Sequence, residues 1–135
     1  MRAALLTAAA GAALIALASA SARTSAGTSL RITYWEDAAK LGASVTWTLR
    51  CNPARGSLAR PAVACRRLAA GGAKLFAPTA QNVACTEIYG GPQRARIVGT
   101  LAGRGLWATF TRTNGCEIGR WNRISPWLVP AGGVT

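Results

Sequence analysis

Few side chains in this 135-residue chain can do chemistry, and their types narrow what that chemistry could be. There is no histidine, which removes Ser-His and Cys-His nucleophile pairs and histidine-bearing metal sites together. The acidic residues are Glu36, Asp37, Glu87 and Glu117. Only the first two are close in sequence, and so small a set is a poor basis for a carboxylate acid–base pair. Lys40 or Lys74 could complete a Ser-Lys dyad, but no motif surrounds either one. Cys51, Cys65, Cys85 and Cys116 lack the short ligand spacing of a zinc site. These residues argue against an enzyme, a bound metal and a cofactor, and they leave sulfur cross-links as the expected chemistry.

The start of the chain says where such cross-links would form. Arg2 supplies a positive charge ahead of an almost unbroken apolar run from Ala3 to Leu17. Ala18-Ser19-Ala20 and Ala20-Ser21-Ala22 then offer the small residues a signal peptidase requires, so residues 1–22 are expected to be a secretory leader. The run is short for a membrane span of about 20 residues, and no later segment is long enough. Cleavage after Ala22 leaves 113 residues and removes one cation, for a net charge of +11 on the expected mature domain, residues 23–135. In a secreted chain, four cysteines read as two disulfides, with three connectivities open. If the sequence neighbours pair, loops of about 15 and 32 residues close, worth roughly 3 and 3.5–4 kcal/mol by chain entropy.

The elements that must position these residues read as α+β, a small antiparallel sheet with one main helix and at most a short second one. Leu30, Ile32 and Tyr34 alternate with polar residues over a strand, Ser29–Trp35. Ser44–Cys51 alternates more clearly, with Val45, Trp47, Leu49 and Cys51 on one face. Pro61 suits the first position of a helix through Ala62–Ala70, ended by Gly71-Gly72. Residues 73–91 read as irregular, punctuated by Pro78, Asn82 and Gly90-Gly91. Strands follow at Arg94–Leu101 and Gly105–Thr113 around an Ala102-Gly103-Arg104 turn. Residues 117–135 give no clear period.

Several segments carry a resemblance in the right order. Leu49-Arg50-Cys51-Asn52-Pro53, Gly56, and Pro61-Ala62-Val63-Ala64-Cys65-Arg66-Arg67-Leu68 are followed by Cys85-Thr86-Glu87-Ile88-Tyr89. Gly99 to Gly103 and Asn114-Gly115-Cys116-Glu117 complete the set. Together they resemble the subtilisin inhibitor-like family of secreted serine protease inhibitors over most of residues 30–120. Three departures stand out: Gly56-Ser57-Leu58-Ala59 in the first turn, Leu101 in place of an aromatic, and one extra residue at Gly90-Gly91-Pro92.

The resemblance implies a disulfide pairing of Cys51 with Cys65 and Cys85 with Cys116. It also implies a substrate-like reactive loop whose scissile bond is Glu87–Ile88. In that loop Thr86 would brace through its hydroxyl and Tyr89 would cover the primed side. The implied partners are extracellular serine endopeptidases and, through the sheet, a second copy of the chain in a homodimer. Glu87 would enter the primary specificity pocket, where an unpaired ionised carboxylate is costly to bury. Both subtilisin-like and glutamate-specific enzymes are therefore carried as targets.

The charge allows a reading of another class. Arg94 and Arg96 share a strand face, and Arg50, Arg60, Arg66, Arg67, Arg104, Arg112, Arg120 and Arg123 add to it. The five tryptophans, Trp35, Trp47, Trp107, Trp121 and Trp127, interleave with them. This could be a polyanion footprint on a secreted cationic binding module that has lost inhibition. The plainer alternative is a solvated arginine surface with Trp47 and Trp107 in the core. Secretion argues against nucleic acid as a specific partner, and salt-sensitive attachment to acidic cell-surface polymers is the expected consequence of the charge.

Overall fold

Alternation of apolar and polar residues builds the sheet almost where the sequence places it. The computed structural model describes residues 26–132; the leader expected at 1–22 and its cleavage sites lie outside them. Strands β1 (Ser29–Trp35), β2 (Ser44–Arg50), β3 (Arg94–Leu101) and β4 (Arg104–Thr111) form one antiparallel sheet in the order β2-β1-β3-β4. Leu30, Ile32, Leu49, Ala95, Ile97, Ala108 and Phe110 point to its inner face and are buried there.

Helices cover that face alone. Helix α1 (Pro61–Gly71) has proline in its first turn and ends at Gly72, and it buries Ala64 and Leu68. A short 3-10 helix, Gly72–Phe76, adds Phe76, which meets Phe110 edge-on at 6.2 Å between ring centres. A second helix, α2 (Gly115–Ile124), buries Arg120, Trp121 and Ile124. The tail returns along the core through Trp127, Leu128 and Val129, and the Trp121 indole donates to the Pro130 carbonyl at 3.0 Å. The α+β reading holds, with both disulfides at Cys51–Cys65 and Cys85–Cys116.

One expectation needs correction. Trp107 is 70 % exposed and lies outside the core. It has the parity of Thr109 and Thr111, so pleating turns it away from Ala108 and Phe110. Residues 117–124 of the tail, which shows no clear period, lie in α2, and Asn114 caps it: its side chain accepts from the Glu117 backbone N–H at 3.0 Å, which satisfies one free donor of the first turn. Trp47, by contrast, packs against the core as expected.

Candidate functional site

The segment between α1 and β3 has no regular structure from Ala77 to Gln93, yet it is tied down at both ends of one short stretch. Glu87, Ile88 and Tyr89 are exposed, with Ile88 at 63 % and Tyr89 at 60 %. Two apolar side chains standing in solvent side by side need a reason, because burial of each would be worth about 1.5–3 kcal/mol.

On the amino side of the stretch, Cys85 is bonded to Cys116 in the first turn of α2, with 5.3 Å between Cα atoms. Thr86, next to it, accepts a hydrogen bond at its carbonyl from the Gly115 N–H at 2.9 Å. It is the backbone carbonyl of Thr86 that ties this residue to the start of α2. The hydroxyl lies over Gly115, where a Cβ would come within 2.0 Å of Oγ1, so a larger residue there would displace the Thr86 side chain.

On the carboxyl side, the Gly90 N–H donates to the Arg112 carbonyl at 2.7 Å. Gly91 has φ +131°, a conformation L side chains rarely adopt. A buried glycine and a left-handed one thus carry the chain from the exposed stretch into Pro92. Pro92 then accepts from the Ala38 N–H at 2.8 Å.

Beneath this end runs a polar chain drawn from four places in the sequence. Buried Gln93 accepts from Arg112 Nη1 at 3.0 Å and donates through Nε2 to Glu36 Oε1 at 3.2 Å. The Tyr34 hydroxyl donates to the other oxygen of Glu36. That bond, then the one from Gln93, holds the Glu36 carboxyl below the ordinary glutamate range. Burial first, then the bond to Glu36 and its charge, push the Tyr34 phenol up. Sequence reasoning missed the link through Gln93 because its contacts span 19 and 57 positions.

On the amino side Glu117 has a supporting part. It accepts from the Thr79 hydroxyl at 2.9 Å and from Arg120 Nη1 at 2.7 Å, and so ties the approach to the loop onto α2. Its pairing, with that of Lys40 and Asp37 at 3.9 Å, accounts for the ion pairs among the described residues. Those residues contain no cluster of three or more metal-ligating side chains. Nor does any helix among them have the length and apolarity to cross a membrane.

The arrangement suits a segment presented in extended form rather than a cavity that receives a substrate. Three exposed residues are fixed at both flanks, by a covalent bond and one backbone hydrogen bond on one side and by the Gly90 backbone bond and a partly buried polar chain on the other.

Comparison with known proteins gives a family and a fold. Among curated proteins none matches the chain. The crystal structure of Streptomyces caespitosus sermetstatin in complex with Bacillus licheniformis subtilisin contains a chain of similar fold. The TM-score is 0.51 at 22 % identity, over 78 % of this chain and 99 % of that one. The sequence pattern of the subtilisin inhibitor-like family matches residues 26–114, which include both cysteines of the first disulfide, Cys85 and the whole exposed stretch. The chain therefore belongs to the subtilisin inhibitor-like family.

Proposed function

We infer that the protein is a secreted inhibitor of extracellular serine endopeptidases, acting through Glu87–Ile88 as a slowly cleaved, substrate-like bond. The observation that carries this reading is the exposed Glu87-Ile88-Tyr89 stretch held by Cys85–Cys116 and Thr86 on one side and by Gly90 on the other. An extended segment can add to the edge of an enzyme's sheet through its backbone. Because both flanks are already fixed, binding loses little conformational entropy. After cleavage the same anchors keep the new ends together, which favours resealing over release.

Family membership and the subtilisin-bound structural relative support a serine protease as the partner. Glu87 favours an enzyme whose specificity pocket is polar or cationic, since an apolar pocket would bury its charge unpaired. Tyr89 lies on the primed side, where its exposed ring is free to cover the enzyme surface.

The test is titration of purified residues 23–135 against a panel of serine proteases that includes subtilisin and a glutamate-specific endopeptidase. Stoichiometric inhibition of at least one enzyme is expected, with a new N-terminus at Ile88 after long incubation. No inhibition of any enzyme at micromolar protein would overturn the reading.

A further inference from the structure

At the end of the sheet away from Glu87–Ile88, the space between α1 and the β3–β4 turn is not filled. A recess of about 600 Å³ opens there, within the range that holds a small organic ligand. Buried Leu68 and Leu101, half-buried Leu106 and the Cys51–Cys65 disulfide form its floor. Ala69, Gly72 and Ala73 line its helical side, and side chains this small leave the space open. The walls are tied to one another before any ligand arrives. The Gly103 N–H donates to the Gly27 carbonyl at 2.9 Å, and the Ala102 N–H to the Thr28 hydroxyl at 3.0 Å. The Cys51 N–H donates to the Thr28 carbonyl at 3.1 Å, and Cys51 is bonded to Cys65 of α1. Among the described residues, the non-glycine positions with positive φ are Asn52 at 65° and Ala102 at 49°, and both line this recess. Left-handed backbone is costly for alanine, and such strain gathers where a ligand is held.

The charge at this recess is of one sign. Arg104 pairs with Leu101 and has the parity of Leu106, Ala108 and Phe110, so pleating sets a cation on the inner face of the sheet. Arg66 lines the recess from α1. Both arginines are exposed, and neither side chain has a hydrogen-bond or ion-pair partner among the described residues. No acidic residue lines the recess. Glu36, Asp37 and Glu117 are engaged elsewhere, by Tyr34 and Gln93, by Lys40, and by Thr79 and Arg120.

We propose that this recess binds a single-chain anionic amphiphile, such as a medium-length fatty carboxylate, with its head at Arg66 and Arg104 and its chain over Leu68, Leu101 and Leu106. The apolar floor favours an alkyl chain by removing it from water. The two guanidinium groups favour a carboxylate through charge-assisted hydrogen bonds. A sugar or nucleotide would give up hydrogen bonds to water over a floor with no polar side chain to replace them. An amphiphile with a cationic head would be repelled at the same place. Because the walls are already fixed, binding loses little conformational entropy. The site is a strand's length from the exposed stretch: β1 runs from Ser29, next to Thr28, to Trp35, which pairs with Arg94, roughly 20 Å away. It does not rest on the inhibitory reading, which a protease assay decides by itself.

The test is calorimetric titration of residues 23–135 with dodecanoate below its micellar concentration. One saturable site is expected, with a melting temperature that rises with ligand concentration. Arg66→Gln/Arg104→Gln should weaken binding about tenfold or more. Arg60→Gln/Arg123→Gln removes two exposed cations that do not line the recess and should stay within about twofold of wild type. Ala69→Leu, at an exposed helical position, fills the recess from the side away from the core. It should abolish binding and leave the melting temperature of the free protein near that of wild type. Ala73→Leu, also exposed and on the same side, repeats the block should the first variant fold poorly. Dodecyltrimethylammonium, with the same chain and the opposite charge, should bind about tenfold or more weakly than dodecanoate. Equal affinity for the two amphiphiles, or equal losses from the two arginine pairs, would mean general adsorption or attraction by net charge and overturn the proposal. So would the absence of saturable binding. A dimeric wild type that Ala69→Leu turns monomeric would assign the recess to a second copy and overturn it as well.

Discussion

The two flanks of the exposed stretch are held by different physics. The amino flank depends on a covalent bond to the start of α2 and one backbone hydrogen bond. The carboxyl flank has no cross-link. It depends on Gly90 against the Arg112 carbonyl and on the chain Arg112–Gln93–Glu36–Tyr34. The first survives any change of proton activity, whereas the second contains a carboxylate whose ionised form accepts both of its hydrogen bonds. A loop held this way is permanently tethered beside Glu87 and adjustable beyond Tyr89.

The largest effect should come from breaking the covalent side. Cys85→Ser/Cys116→Ser should cost about 3.5–4 kcal/mol of stability. It should also weaken inhibition by at least about a hundredfold, because three residues would have to be ordered on binding. Cys51→Ser/Cys65→Ser is the matched control. It should cost a similar amount, about 3 kcal/mol, yet leave the inhibition constant nearly unchanged when measured well below its melting temperature. Thermal melts and inhibition assays on both pairs separate a tether from a general staple.

The polar side should respond less. Gln93→Leu removes a donor to Glu36 and an acceptor for Arg112 at a buried position. A cost of about 1–3 kcal/mol follows from leaving the buried Arg112 guanidinium short of one acceptor. Inhibition should weaken several-fold, and cleavage of the variant by its target should become faster relative to resealing.

The smallest effect is the dependence on pH. Glu36 has its carboxyl lowered by the Tyr34 hydroxyl and then by Gln93. Its contribution is therefore complete above the ordinary glutamate value of about 4.3. It is lost as pH falls through that value and on through the lower folded one. Stability should decline over that acid window in wild type, and Glu36→Gln should be flatter there. Denaturant melts across the window would show it, and parallel profiles for the two proteins would remove Glu36 from the account.

The sheet was legible because its signal is local. β1 and β3 fall on their expected residues, since Leu30-x-Ile32-x-Tyr34 and Ala95-x-Ile97 alternate without interruption. Helix α2 was hidden by a charged residue on its buried side: Arg120 is covered by Glu117 and the Thr109 and Ala77 carbonyls, which breaks the apolar period. The signal that could have found it is Asn114 three residues before Glu117, an N-cap with an acid in the first turn. Trp107 shows the opposite error, because size and apolarity suggested core where strand parity dictates exposure. The cysteines and the exposed stretch could be read from motif order. Gln93 and Arg112 could not, because the fold alone brings them to Glu36.

The central claim is that Glu87 enters the specificity pocket of the target enzyme. Inhibition constants of wild type and Glu87→Leu, measured against subtilisin and a glutamate-specific protease, test it most directly. An apolar side chain gains about 1.5–3 kcal/mol on full burial, and the cost of desolvating the carboxylate disappears. Glu87→Leu should therefore bind subtilisin at least about tenfold more tightly and the glutamate-specific enzyme more weakly. Unchanged constants against both enzymes would place Glu87 outside the pocket and contradict the assignment of Glu87–Ile88 as the scissile bond.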